Sequence, residues 1–228
     1  MQNKFQAIIF DLDNTLLDFM ELKRRTCDAA MDAMISAGLQ INKQEGLDIL
    51  FSLYNQYGIE DHIIFQRFLK KIKRVVSYPV LAAGIVAYRN VRTSYLLPYP
   101  NVYHTLRELQ KRGLLIGVIS DAPRLNAWIR IAALRLTSYF KEVITFDDTK
   151  QKKPSPAPFK KMLHALNLKP KNCLMVGDWV ARDIKGAAAL GIKTCYARYG
   201  TVRKEKSHAD YIIDDISELI AIVGTKSK

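Results

Sequence analysis

FQAIIFDLDNTLLDF, Phe5 to Phe19, decides how the rest of the chain is read. AIIF is an apolar run of the kind that forms a strand buried on both faces. It gives way to two aspartates, Asp11 and Asp13, two positions apart. Like charges so close repel, and the arrangement calls for positive charge nearby.

Further along, short apolar runs recur and alternate with helical patterns. LLIGVIS (Leu114 to Ser120), EVITF and CLMVGD read as strands, as do IKTCYA and YIID. Between them NVYHTLRELQKRG, PRLNAWIRIAALRL, SPAPFKKMLHALNL and ARDIKGAAALG read as helices, and ISELIAIV follows the last strand. Asn101 is expected to cap the first of these helices and Ser155 the third, with Pro156 at its first position. Such alternation predicts an α/β fold with a parallel, Rossmann-like sheet covered by helices.

From Asp18 to about Tyr95 the pattern is helical throughout, with breaks at Gly38, at Gly58 and over Ser77–Pro79. The expected organisation is an α/β core from residues 1–17 and 96–228. A helical bundle, residues 18–95, is inserted after the first strand.

Ligands of open parallel sheets bind beyond the carboxyl ends of the strands. In this chain those positions carry Asp11 and Asp13, then Ser120 and Asp121, then Lys153 in KKPSPAPF, then Asp178 and Asp183. At about 4 Å a charge pair is worth about 4 kcal/mol at an effective dielectric near 20, so crowded carboxylates need a cation among them. Oxygen ligands without His or Cys suit a hard ion, Mg²⁺ by preference. A lysine in the same place makes sense if a further anion, such as a phosphate, is to be held.

DLDNT (Asp11 to Thr15), VIS ending at Ser120, KKPSP with Lys153, and GDWVARD (Gly177 to Asp183) together resemble the four motifs of the haloacid dehalogenase-like hydrolase superfamily. The motifs stand in the same order, and the resemblance spans the whole chain. It implies that the helical insertion is a C1 cap and that the protein is a Mg²⁺-dependent phosphatase. Asp11 would be the nucleophile that forms an aspartyl-phosphate, and Asp13 the general acid and base. Mg²⁺ would be held by Asp11, the Asp13 backbone carbonyl, Asp178 and Asp183. Ser120, Asp121 and Lys153 would hold the phosphoryl group, with backbone N–H groups around Leu12, Asp13 and Asp121. The implied partner is a small phosphorylated metabolite: a sugar, triose or glycolate phosphate, or a nucleotide. Members of the superfamily also include phosphomutases, phosphonatases, for which Lys23 stands at a candidate position, and dehalogenases, which attack carbon and need no acid at the place of Asp13. Phe19, Lys23, Arg24 and Tyr54 are candidates to meet the substrate from the cap.

Composition narrows the remaining choices. A net charge of +13 raises a basic binding module as the non-enzymatic alternative. The positive residues are dispersed, in KRR (Lys23 to Arg25), KKIKR (Lys70 to Arg74), KQKK (Lys150 to Lys153) and RKEK (Arg203 to Lys206), with no nucleic-acid-binding motif among them. Cys27, Cys173 and Cys195 are far apart, which argues against disulfides or zinc and fits a reducing cytoplasm. VVSYPVLAAGIVAY, the most apolar internal stretch, is shorter than a bilayer span and contains Pro79, so it is expected to be a packed helix. The first residues hold no apolar segment with a small-residue cleavage site.

Overall fold

The computed structural model describes residues 5–201 and 205–224, so Arg203 and Lys204 of the last basic cluster lie outside it. In chain order the first elements are β1 (Ala7–Phe10) and the helices α1 (Phe19–Ser36), α2 (Lys43–Tyr57), α3 (Ile64–Lys73) and α4 (Tyr78–Ser94). Next come α5 (Val102–Lys111), β2 (Leu115–Ile119), α6 (Arg124–Ala133), β3 (Glu142–Ile144), α7 (Phe146–Thr149) and α8 (Pro156–Leu166). The chain continues through β4 (Cys173–Gly177), a π-helical turn (Val180–Ile184), α9 (Lys185–Ala188), β5 (Lys193–Ala197), β6 (Tyr211–Ile213) and α10 (Leu219–Ile222). It divides into two compact units, Met1–Asp18 with Leu97–Lys228, and Phe19–Leu96.

The first unit is built on a parallel sheet of order β3-β2-β1-β4-β5-β6. Each strand pairs with its neighbours in parallel, so the carboxyl ends of all the strands share one edge. The order runs outward from β1 to β3, then returns to β1's other side for β4. That reversal is the switch point where doubly wound sheets bind ligands. Phe10 is level with Val118 of β2 and Val176 of β4, so the residues just past them emerge together. β1 and β4 are buried at every position, as continuous apolar runs of a twice-covered sheet require. Ile9, Ile119, Phe159, Met162 and Met175 form a core between the sheet and α8.

Some local details depart from the sequence reading. Asn101 does not cap α5 with its side chain. Its backbone is left-handed (φ 64°), and its amide donates instead to both carboxylate oxygens of Asp215, at 3.1 and 3.0 Å. The EVITF strand stops at Ile144, because Thr145 and Asp148 form a capping box that starts α7. ARDIKGAAALG is not one α-helix, since its first turn is π-helical. Ser155 does cap α8, accepting from the Ala157 N–H at 3.3 Å.

The second unit has its own core, including Met31, Met34, Leu50 and Phe68 from α1, α2 and α3. Pro79 lies in the first turn of α4, where its missing N–H costs nothing. Gly38 and Gly58 have φ near +100°, which L side chains rarely adopt, and so end helices. Of the candidates for meeting a substrate, Phe19, Lys23 and Tyr54 are buried and Arg24 is exposed beside Glu21. The Lys23 ammonium donates to the Tyr88 hydroxyl at 3.0 Å and lies 4.0 Å from the Tyr54 ring centroid. No described helix is long and apolar enough to cross a membrane.

Phe159 is fully buried between α8 and the sheet. Phe159→Ala is expected to lower the unfolding free energy by about 3–5 kcal/mol, read from denaturant titration. A loss under about 1 kcal/mol would mean that α8 is not packed as described.

Candidate active site

The Asp11 N–H donates to the Val176 carbonyl at 2.9 Å, continuing the ladder one residue past β1. The chain then turns sharply: Leu16 N–H donates to Leu12 O at 3.0 Å, Asn14 N–H to Leu17 O at 2.7 Å, and Asn14 itself is left-handed. This tight turn presents Asp11 and Asp13 from one loop. It is held from β5's side by Tyr199, whose hydroxyl donates to the Thr15 carbonyl at 2.8 Å. Gly200 follows, and a Cβ there would fall 1.6 Å from the Asn14 carbonyl oxygen, so only glycine permits this approach.

Lys153 lies at the centre. Its ammonium is almost fully buried and donates to Asp11 Oδ1 and, at 3.0 Å, to the Ile119 carbonyl. Asp183 Oδ1 lies 2.7 Å from the same nitrogen, but without hydrogen-bond alignment. The other Asp183 oxygen accepts from the Trp179 N–H at 3.0 Å, which anchors the start of the π-helical turn. Asp183 therefore serves the helix start and the carboxylate group at once. Gly177 makes room for it: a Cβ at that position would meet the Asp183 side chain at 2.5 Å. Asp178 is buried too, and accepts from the Thr15 hydroxyl at 3.4 Å.

Oxygens of Asp11, Asp178 and Asp183 lie within 4.8 Å of one another. Three carboxylates against one ammonium leave an excess of two negative charges when all are ionised, which a divalent cation would balance. The buried, unaligned Asp183 Oδ1 fits the same cation, as does an all-oxygen donor set. Burial raises the Asp11 carboxyl from 3.8 to about 7, with Asp183 and Asp13 adding to the rise and Lys153 opposing it. Burial, with Asp11 and Asp183, raises Asp178 to about 9. For Lys153, burial favours the neutral amine, but the Asp11 and Asp183 carboxylates outweigh it and hold the group above its usual range.

Ser120 is buried, and its hydroxyl accepts from the Ala122 N–H at 3.2 Å. The Asp121 carboxylate is engaged by neighbouring groups of the chain. It accepts the Lys153 N–H at 2.9 Å and pairs with Arg182, whose guanidinium carbon lies 4.1 Å from the Trp179 ring centroid. Arg130 carries no motif or periodicity that marks it in the sequence. It is buried in α6, and its Nη1 donates to Asp13 Oδ2 at 2.6 Å. The three cysteines are buried, and burial raises Cys27 and Cys173 to about 11 and Cys195 to about 12, which leaves no reactive thiolate.

Several known proteins resemble this chain. A family model described as haloacid dehalogenase-like hydrolase matches residues 5–191. The glyceraldehyde 3-phosphate phosphatase of Pyrococcus furiosus is 33% identical over 224 residues, covering 96% of this chain and 93% of that one. Pyrophosphatase PpaX of Bacillus mycoides is 30% identical over 229 residues, covering 97% and 98%. The crystal structure of a HAD phosphatase from Thermococcus onnurineus superposes with a TM-score of 0.71 at 26% identity, over 96% of this chain and 98% of that one.

The raised carboxyls have a consequence for stability. Between the ordinary value of 3.8 and about 7 for Asp11, or about 9 for Asp178, the folded protein keeps protons that the unfolded chain releases. Unfolding free energy therefore falls as pH rises through that window. In chelator, the thermal midpoint is expected to drop between about pH 5 and pH 9, and a divalent cation to raise it more at the alkaline end. A midpoint indifferent to both pH and cation would contradict the carboxylate cluster.

Proposed function

Because the chain belongs to the haloacid dehalogenase-like hydrolases, we propose that it hydrolyses a small phosphate monoester through a covalent phosphate on Asp11. The observation that carries this reading is the gathering of Asp11, Asp178 and Asp183 around the Lys153 ammonium at the carboxyl edge of the sheet. That arrangement gives a nucleophile, a cation to receive phosphoryl oxygens and an oxygen-lined metal position within a few ångströms.

In the first half-reaction an Asp11 oxygen attacks phosphorus and the bond to the leaving oxygen breaks. The electron pair goes to that oxygen, which takes a proton from Asp13 and departs as the alcohol. In the second, water attacks the same phosphorus, gives a proton to Asp13 and displaces the Asp11 carboxylate, releasing phosphate. Lys153 balances charge on the phosphoryl oxygens, and the Ser120 hydroxyl with backbone N–H groups of the Asp11–Asp13 turn orients them. Asp121 contributes by bracing the Lys153 backbone. Magnesium would be held by Asp11, Asp178, Asp183 and the Asp13 backbone carbonyl. When bound it would screen the repulsion between carboxylate and phosphate.

The helical unit, residues 19–96, is assigned the part of substrate-selecting cap, on the strength of its place after the first strand. Near full-length similarity to the Pyrococcus furiosus phosphatase supports a triose or other small sugar phosphate as substrate. The three buried, free cysteines fit a reaction in a reducing cytoplasm. Similarity to Pyrophosphatase PpaX makes pyrophosphate the comparison substrate. The acid at Asp13 favours phosphate esters over dehalogenation, because an alkoxide needs a proton to leave and a halide does not.

The test is hydrolysis of p-nitrophenyl phosphate, glyceraldehyde 3-phosphate and pyrophosphate with Mg²⁺ or with chelator. Wild type is expected to turn over at least one of them only with the metal, and Asp11→Asn to lose on the order of 10³-fold or more. Near-normal turnover by Asp11→Asn would remove Asp11 as nucleophile. Hydrolysis of none of the three, with transfer of phosphate between positions of a sugar phosphate instead, would make the protein a mutase.

A further inference from the structure

We infer that Arg130 is a positioning residue for proton transfer, acting through Asp13. This rests on the phosphatase reading above. Arg130 is 3% exposed, on the inward face of α6 with Ala127 and Ile131. A guanidinium so far from water is costly unless an anion meets it. The anion it meets is the Asp13 carboxylate, at 2.6 Å, from a residue 117 positions away in the chain.

Asp13 stands on a tight turn, where its backbone bridges to Leu17, and its side chain has two rotatable bonds. A general acid must keep its proton within hydrogen-bond reach of the leaving oxygen. The Arg130 Nη1 contact falls on Oδ2. A carboxyl group held through Oδ2 can carry its proton on Oδ1 and deliver it there to the oxygen leaving phosphorus. As the P–O bond breaks, the electron pair on the departing oxygen takes that proton, and Asp13 is left as the carboxylate facing the guanidinium. Arg130 touches neither substrate nor phosphorus in this scheme. It sets where the proton is.

The dependence on leaving group separates positioning from simple support of the fold. An alkyl phosphate needs a proton on its leaving oxygen, whereas p-nitrophenolate leaves without one. The ratio kcat/KM reports steps only up to phosphoenzyme formation, so it isolates this proton transfer from the later hydrolysis. Arg130→Met is expected to lose about tenfold or more in kcat/KM on an alkyl phosphate that wild type hydrolyses, and under about threefold on p-nitrophenyl phosphate. In the Asp13→Asn background the same substitution is expected to cost nothing further, because the group it positions is gone. If Arg130→Met lacks a cooperative thermal transition, Arg130→Lys serves, with the same bias towards the alkyl substrate at smaller size. Equal losses on both substrates, no loss on either, or additive losses in the double variant would overturn the inference. A wild type that hydrolyses no alkyl or aryl phosphate ester would overturn the phosphatase reading beneath it, an outcome distinct from the other three.

Discussion

One ammonium group holds the candidate site together. Lys153 is buried where a charge is costly unless several partners meet it, and three do: the Asp11 carboxylate, the Asp183 carboxylate and the Ile119 carbonyl. These partners come from the turn after β1, the π-helical turn after β4 and the end of β2. The lysine thus ties three strand ends into one cluster. Its own backbone is fixed by Asp121, and the chain after it enters α8 through the Ser155 cap. Removing the ammonium would leave buried carboxylates facing each other with nothing between them.

The sheet makes such a cluster possible. Parallel strands deliver their carboxyl ends to a single edge, and the return from β3 to β4 opens that edge beside β1. Two glycines then allow the backbone to come closer than any other residue would. Gly177 leaves room for Asp183, and Gly200 lets the chain after β5 lie against the Asn14 carbonyl. The interior of the site is set by these close approaches as much as by the charged groups themselves.

The parallel α/β architecture was legible because apolar runs such as AIIF and CLMVG alternate with helical patterns, and a twice-covered sheet demands such runs. Asp11, Lys153, Asp178 and Asp183 were legible as a group because topology brings strand ends together whatever the intervening chain does. Arg130 was not. Within NAWIRIAALRL it looks no different from Arg135, and only tertiary packing turns it inward to Asp13. Asn101 misled for a related reason: a residue with good capping chemistry was claimed by a distant carboxylate, Asp215. The early end of β3 did carry a local signal, the Thr145 and Asp148 spacing of a capping box, hidden behind a β-prone run. The second role of Asp183, as acceptor for the Trp179 N–H, needed the π-helical turn to be seen.

In the proposed reaction phosphate passes through a covalent bond to Asp11. The most direct measurement is to quench the enzyme with acid during turnover, reduce the acyl phosphate with borohydride and map the modified residue by peptide mass spectrometry. Asp11 is expected to be reduced to homoserine in the peptide spanning AIIFDLDNTLLDF, dependent on substrate and absent from Asp11→Asn. Reduction at another carboxylate, or none while an acyl phosphate standard is reduced under the same conditions and turnover is under way, would contradict it.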